Sequence, residues 1–553
     1  MSILTAKANK ARSVPGTPTR KTAPQPSRTA IERTMQRAGH SAPSTSAPTP
    51  VSTRPSSPAP ISPASPSFVL ATGVTGISLS QELPPPPGDE PAMSYSRTKL
   101  LEEARRSLTS TDGGKTAASM VVIGHVDAGK STLMGRLMYE LGPLDEKQRV
   151  ANERASDKLG KSSFSWAWGL DALSEERDRG VTMDITQTTL PLPTITLTIL
   201  DAPGHKDFVP NLISGASQAD TALLVVDASV GEFEVGFRGG GQTREHILLV
   251  RSLGVSSLII AINKLDMVEW SQTRYNEICG ILRPFLVQSG FQPSRLSFVP
   301  CAAMKGVNLT TNKDSTLKKW YSGPTLAQEL DKIVPPSRDI DSPLRLPVSN
   351  VFRGGAGGIS AGVGVSGRVC TGFLQVGEKL RVLPGDEIAT VRKVEIDDQS
   401  GSWAAAGANV TLYLSGLDLV NISVGSVLCP PSNVVQLASH FVAQIILFDL
   451  TLPITSGATI ELFHHSRDTP ATISKLIETI DRATGVVLKT KPRVLSKNTS
   501  ARVEIRIKSS PTSAIKAVSI PLETFTVNKD MGRIVLRRGG ETIGAGIITE
   551  IIS

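Results

Sequence analysis

The sequence predicts a doubly wound α/β domain on a mostly parallel sheet, followed by two all-β barrel domains and preceded by a disordered tail. Three observations lead there. From about residue 117 to 338, short continuous apolar runs alternate with amphipathic helical stretches, the pattern of strands buried on both faces between crossover helices. Beyond Pro335 and Pro336 the apolar residues alternate singly with polar ones between glycines, as at Val363, Val365 and Val369, which suits strands with one face in and one out. Residues 13–91 are dominated by Pro, Ser, Thr and Ala, with too few large apolar side chains to offset the entropy of ordering them.

The chain has 553 residues, enough for about three folded units plus extensions. Four regions follow: 1–112, a basic Pro/Ser/Thr-rich tail and linker; 113–338, the α/β domain; 339–431, the first barrel; and 432–553, the second. Arg97 to Leu108 spaces Leu100, Leu101, Ala104 and Leu108 as a short helix does, and the packed fold is expected to begin near Ala117. The apolar runs Met120 to Ile123, Ile195 to Leu200, Thr221 to Val226, Ser257 to Ile262 and Leu296 to Pro300 are the expected parallel strands. Leu380, Val382, Val503, Ile505 and Ile507 mark barrel strands, and Pro430-Pro431 is the expected break between barrels.

The net charge is +9. Residues 1–80 hold nine basic residues against Glu32, or 9 − 1 = +8, so the remainder carries 9 − 8 = +1. A nearly neutral body argues against a large uniform RNA-gripping face, and leaves the tail either to touch RNA by charge or to serve as a solvated linker. No run approaches the roughly 20 apolar residues of a membrane span. Cys279, Cys301, Cys370 and Cys429 lie far apart without metal or redox spacing, which fits free thiols in a reducing, cytoplasmic setting. Repeated prolines break the amphipathic helix that a transit peptide would need. His464 and His465 are neighbours on a strand, expected to point to opposite faces and so not to share a metal ion. Lys489, Lys491 and Arg493 alternate on one side of another expected strand, as a solvated face or as a surface for RNA or a protein partner.

Gly124-His125-Val126-Asp127-Ala128-Gly129-Lys130-Ser131, continued by Thr132, fits GxxxxGK[ST] between an apolar strand and a helix through Leu133 and Leu137. In that setting backbone N–H groups cradle phosphate oxygens, Lys130 neutralises phosphate charge, and the Ser131 hydroxyl ligates Mg²⁺. Asp201-Ala202-Pro203-Gly204-His205 ends the second apolar run, where Asp201 can hold Mg²⁺ and the Gly204 N–H can sense a γ-phosphate. Asn263-Lys264-Leu265-Asp266 ends the fourth. A carboxylate there accepts from guanine N1–H and its exocyclic amine, a pattern adenine does not present. The α/β domain is thus a P-loop GTPase domain for GTP, GDP and Mg²⁺.

With Arg179-Gly180-Val181-Thr182 added, these motifs resemble the elongation factor 1-alpha superfamily over residues 117–553. The resemblance implies that Thr182 joins Ser131 and, through water, Asp201 around Mg²⁺. It also implies that Val126 and Val181 form an apolar gate, and that His205 positions the attacking water once the ribosome orders the site. Cys301-Ala302-Ala303-Met304 departs from the superfamily pattern, which places a serine before glycine or alanine. Ala302 lacks the hydroxyl that braces the Asp266 carboxylate, and the Ala303 N–H is left to meet the guanine oxygen.

Lys161-Ser162-Ser163-Phe164, Trp168, Asp171, Glu175 to Asp184, Trp270-Ser271-Gln272, Pro470 to Ser474 and Leu536 to Gly546 look most similar to the Hbs-like ribosome-rescue branch. That branch implies a ribosome-stimulated GTPase, monomeric outside its complex. It would deliver a Pelota-type release-factor paralogue to the A site of stalled ribosomes in no-go and non-stop mRNA surveillance. It would touch the small subunit and the GTPase-activating region of the large one. A release-factor-associated GTPase, an aminoacyl-tRNA-delivering elongation factor and a non-hydrolysing scaffold remain alternatives. Nothing in residues 1–95 resembles the small acidic and aromatic module with which Hbs-like proteins often begin.

Overall fold

The computed structural model describes residues 96–109, 115–142, 147, 150, 166, 185–238, 241–354, 362–397, 399–482, 484–508 and 519–553. Val181 and Thr182, the tail, and the similarities quoted at 161–184 lie outside the described residues.

The α/β domain is built on β1 (Thr116–Gly124), β2 (Thr186–Pro191), β3 (Ile195–Asp201), β4 (Thr221–Asp227), β5 (Ser257–Asn263) and β6 (Leu296–Pro300). They lie in the order β2-β3-β1-β4-β5-β6, all parallel except β2, which runs antiparallel along β3. The five apolar runs are the five parallel strands. The edge strand β2 gave no such run, because only Leu190 within TQTTLP is buried.

The helices are α1 (Arg97–Thr109), α2 (Lys130–Leu141), α3 (Val209–Ala216), α4 (Glu232–Phe237), α5 (Gln242–Ser252), α6 (Gln272–Gln288) and α7 (Leu326–Leu330). The two-residue period of β1 sends Val121 and Ile123 into a core with Leu212, Ile247 and Ile278 of α3, α5 and α6. Met120 and Val122 go to the opposite core, with Leu133 and Leu137 of α2. Strand order reverses around β1, so the crevice that binds ligands in such sheets opens at Gly124.

Each all-β unit closes into a six-strand barrel. In the first, the ring runs through Lys379–Leu383, Val427–Cys429, Leu346–Gly354, Gly362–Arg368, Asn409–Ser415 and Glu387–Ile396, and closes where Lys379 pairs with Thr390. In the second it runs through Ala458–His464, Arg533–Arg538, Glu541–Ile551, His440–Leu447, Ser500–Ile507 and Arg467–Ile480, and closes through the hairpin joining its first and last members. Val435 and Met531 pack with Leu383 and Cys429 between the barrels. Arg345 bridges the barrels, donating to Glu523 at 2.8 Å and Asn433 at 2.6 Å.

Two expectations need correction. The packed fold does not begin near Ala117, because α1 seats Leu100 and Ala104 against Phe373 and Ala405 of the first barrel, with Arg97 paired to Glu378 at 2.7 Å. His464 and His465 do not diverge either. His465 has φ 51°, which breaks the strand alternation at the turn and brings the two rings to 4.7 Å. His464 Nε2 donates to the Met531 carbonyl at 2.8 Å. Burial pushes the two imidazoles down to about 3 and about 4 respectively, so both are neutral at neutral pH.

The α/β domain is clamped to the first barrel through Asp220. Its carboxylate accepts two hydrogen bonds of 2.7 Å from Arg338, one of 3.0 Å from the Ser119 amide, and another from Arg368. Burial works to raise this carboxyl, but Arg368 and Arg338 outweigh it and hold it at about 2, below its ordinary 3.8. A depressed folded value means that the clamp stabilises fully above pH 3.8 and loses its effect as pH falls toward 2. Asp220→Asn leaves two guanidinium groups without their counter-charge and is expected to cost about 3 kcal/mol in urea unfolding at neutral pH. It should also remove that share of the acid sensitivity; an unchanged unfolding midpoint would refute the clamp.

Candidate functional site

The phosphate side is built where β1 turns into α2. Asp127 (φ 60°) and Gly129 (φ 87°) take left-handed backbone conformations that curl residues 124–130 into a loop. A Cβ on Gly129 would meet Asn263 Nδ2 at 2.6 Å, so glycine is required for space as well as for φ. Lys130 opens α2 and is only 7% exposed, with Nζ donating to the carbonyls of Gly124 at 3.2 Å and His125 at 3.0 Å. Burial pulls its pKa down, while Asp201 and Asp127 oppose the shift.

Ser131, next on α2, donates to Asp201 Oδ2 at 3.0 Å, across from the carboxyl end of β3. A hydroxyl and a carboxylate beside a phosphate cradle form the oxygen-rich donor set that Mg²⁺ takes, so these residues fit the ion. Gly204 packs directly over Lys130, since a Cβ there would stand 2.3 Å from Nζ. His205 caps the short 3₁₀ turn Lys206–Phe208 and is turned toward it: Nδ1 accepts from the Asp207 amide at 3.3 Å, and the ring lies 6.1 Å from Phe208. The structure thus brings Lys130, Ser131, Asp201 and Gly204 together and leaves His205 directed at its own turn.

The base side is tied to the phosphate side. Asn263, at the end of β5, donates from Nδ2 to the Ala128 carbonyl at 2.9 Å and accepts on Oδ1 from the Ala303 amide at 2.9 Å. The Ala303 N–H is therefore not left facing a guanine oxygen as expected, because the Asn263 amide oxygen engages it. Lys264 (φ 58°) reaches back across the loop to the Asp127 carbonyl at 2.6 Å and to Asp227 at 2.8 Å. Asp266 pairs with Lys305 at 3.0 Å, while Ala302 is buried and Met304 is exposed beside them.

Sequence motifs missed one side chain that joins the halves of the phosphate side. Gln242, the first residue of α5, donates its amide nitrogen to the Gly204 carbonyl at 2.9 Å and to His125 Nδ1 at 2.6 Å, and accepts from the Lys206 amide at 3.1 Å. One turn later, His246 is fully buried without a well-formed hydrogen bond to either ring nitrogen. Burial, with Lys130 and His125 adding, pushes it down to about 3, so it is neutral. Within Gln242-Thr243-Arg244-Glu245-His246 neither residue carries a motif signal.

Residues 115–336 match the family model of the elongation factor Tu GTP binding domain, and residues 440–549 match that of the GTP-eEF1A C-terminal domain-like family. Elongation factor 1-alpha of Pyrobaculum aerophilum is 38% identical over 437 residues, covering 79% of this chain and 95% of its own length. The elongation factor 1 alpha-like protein of Schizosaccharomyces pombe is 41% identical over 441 residues, 79% of this chain and 70% of its own length. The chain belongs to the elongation factor 1-alpha family.

Protein HBS1 of Drosophila melanogaster is also similar, 45% identical over 438 residues, 79% of this chain. The match spans 63% of the length of that relative. The GTPase-like domain of S. cerevisiae Ski7 bound to GTP shares the fold, with a TM-score of 0.66 at 20% identity over 79% of this chain and 97% of that one. In this elongation factor 1-alpha relative Lys130, Ser131, Asp201 and Gly204 thus meet at the carboxyl edge of the sheet, with Ala302 buried on the loop that follows β6.

The Gly204–Lys130 approach can be tested. Gly204→Ala is expected to push the ammonium out of its position and weaken GTP binding about tenfold, or about 1.4 kcal/mol, in a fluorescent-nucleotide titration, with the melting temperature unchanged. Unaltered affinity would show that the close approach is incidental.

Proposed function

We propose that this chain binds GTP with Mg²⁺ and hydrolyses it on ribosome contact, delivering a Pelota-type release-factor paralogue to the A site of stalled ribosomes in the cytoplasm. The observation that carries the GTPase reading is the convergence of Lys130, Ser131, Asp201 and Gly204 at one sheet edge, with Asn263 and Asp266 on the adjoining loop. The Hbs-like sequence similarity supports the rescue reading.

In this reading the N–H groups of Gly124 to Ser131 and the N-terminus of α2 receive the phosphates. Lys130 exchanges its carbonyl partners for phosphate oxygens. Ser131, Thr182 and, through water, Asp201 would hold Mg²⁺, which would supply positive charge to offset the negative charge developing on the phosphates. Asp266 leaves Lys305 to accept from the guanine edge, with Met304 beside it. His205 turns away from Asp207, passes between Val126 and Val181, and orients the attacking water. Orientation is the main contribution that a side chain makes to phosphoryl transfer, so one mobile imidazole can gate the reaction. Gln242 holds the Gly204 carbonyl and His125 in register while this happens.

Multiple-turnover hydrolysis with ribosomes tests the chemistry. His205→Ala is expected to slow it by at least about 100-fold, within the range of a lost positioning group, with nucleotide affinity retained. Equal rates would remove His205 from the role, and no turnover by either protein would favour a non-hydrolysing scaffold. Capture experiments under a non-hydrolysable GTP analogue test the partner. A Pelota-type protein should be retained, and selective retention of a class I release factor or aminoacyl-tRNA would overturn the assignment.

A further inference from the structure

The second barrel exposes an apolar strip on an open sheet edge. Strand Val487–Thr490 is the outermost of its sheet and pairs, among the described residues, on one side only, with Thr490 opposite Glu478 and Lys489 opposite Thr479. Every residue of it is exposed. Val486, Val487 and Leu488 are 60%, 45% and 67% exposed, three apolar side chains in succession facing water. Arg482, Lys489, Lys491, Arg493 and Lys497 flank them in sequence, with no acidic residue from 482 to 498. Of the acids nearby, Glu478 across the pairing is bound to Arg502 at 3.2 Å, Asp481 stands at the turn, and Asp449 faces Lys497 at 3.9 Å.

Lysines at an edge ordinarily blunt it against further pairing, and Lys489 fits that role, with Lys491 just beyond the strand. A run of three exposed apolar residues does the opposite. An open row of backbone N–H and C=O groups beside apolar side chains is a site for strand addition, in which main-chain bonds give affinity and alternate side chains give selectivity. Charge decides what is added. The chain's own residues 1–80 hold nine basic residues and one acid, so they are repelled. Single-stranded nucleic acid would match the charge, but it binds chiefly by stacking on aromatic rings, and residues 484–498 contain none.

We propose that the Val487–Thr490 edge docks an extended segment of a protein partner in which carboxylates alternate with apolar side chains. The apolar residues would lie on Val486 and Leu488, and a carboxylate on Lys489, with Lys491 (φ 46°) adding charge where the chain turns off the strand. This strip is outside the nucleotide site, and the proposal does not rest on the partner reading above.

The test uses the full chain and two labelled decapeptides, alternating Val-Glu and alternating Val-Lys, titrated by fluorescence anisotropy with backbone amide exchange followed in parallel. The acidic peptide should bind at least about tenfold more tightly than the basic one and slow exchange in Val487–Thr490. Val486→Asp combined with Leu488→Asp should abolish binding of the acidic peptide. Lys489→Glu combined with Lys491→Glu should reverse the preference between the peptides. All four side chains are exposed, so melting temperature and GTP affinity should hold in both variants and confirm folding. Equal binding of the two peptides, no binding of the acidic one up to about 1 mM, protection elsewhere in the chain, or variants that bind unchanged would each overturn the proposal.

Discussion

Lys130 is an ammonium ion held almost out of water, and the surrounding phosphate site is arranged around what such a charge needs. Desolvation penalises its charged form, so the loop supplies the carbonyls of Gly124 and His125 as direct acceptors, while Asp201 and Asp127 contribute a favourable field. The ammonium occupies the space above Gly204, which a side chain there would take from it. The base side is bound into the same frame, since Asn263 and Lys264 both donate to carbonyls of the loop that curls around Lys130. A shift in one half of the pocket is therefore felt in the other.

The same constraint extends into the second barrel through α5. Gln242 at its start joins Gly204 to His125, Glu245 accepts from Thr542 at 2.6 Å, and the Ser252 carbonyl at its end accepts from Arg533 at 3.4 Å. Phe463, Val535 and Ala545 of that barrel belong to the α/β core itself, and Ser214 of α3 meets Ser466 at 2.6 Å. Part of the Leu536 to Gly546 stretch that suggested kinship is thus an internal seam. One turn of α5, from Gln242 to Glu245, joins the phosphate loop to it.

Elements defined by continuous apolar runs were legible in the sequence, because a strand buried on both faces must be apolar throughout. β2 was not, since an edge strand with a single buried residue leaves no periodic trace. That Lys130, Ser131, Asp201, Gly204 and Asn263 come together was legible because fixed spacing fixes their loops. Gln242 and His246 were not, because their importance comes from what α5 is packed against rather than from their neighbours in sequence. The His464–His465 pair escaped for a local reason, a left-handed residue where an unbroken strand was assumed. The engagement of the Ala303 amide by Asn263 is a tertiary contact that a loop motif does not encode.

The docking of α1 has a consequence for how far the parts can travel. The chain joins the α/β domain to the first barrel twice, once through the Arg338 region and once through α1, whose side chains are fastened to Phe373, Ala405 and Glu378. Between Thr109 and Lys115 lie six residue steps, at most roughly 22 Å when fully extended. A single covalent connection would act as a free pivot; two, one of them this short, act as a hinge with a stop. Any rotation of the barrel beyond that reach would peel the helix from its seat and expose Leu100 and Phe373 together.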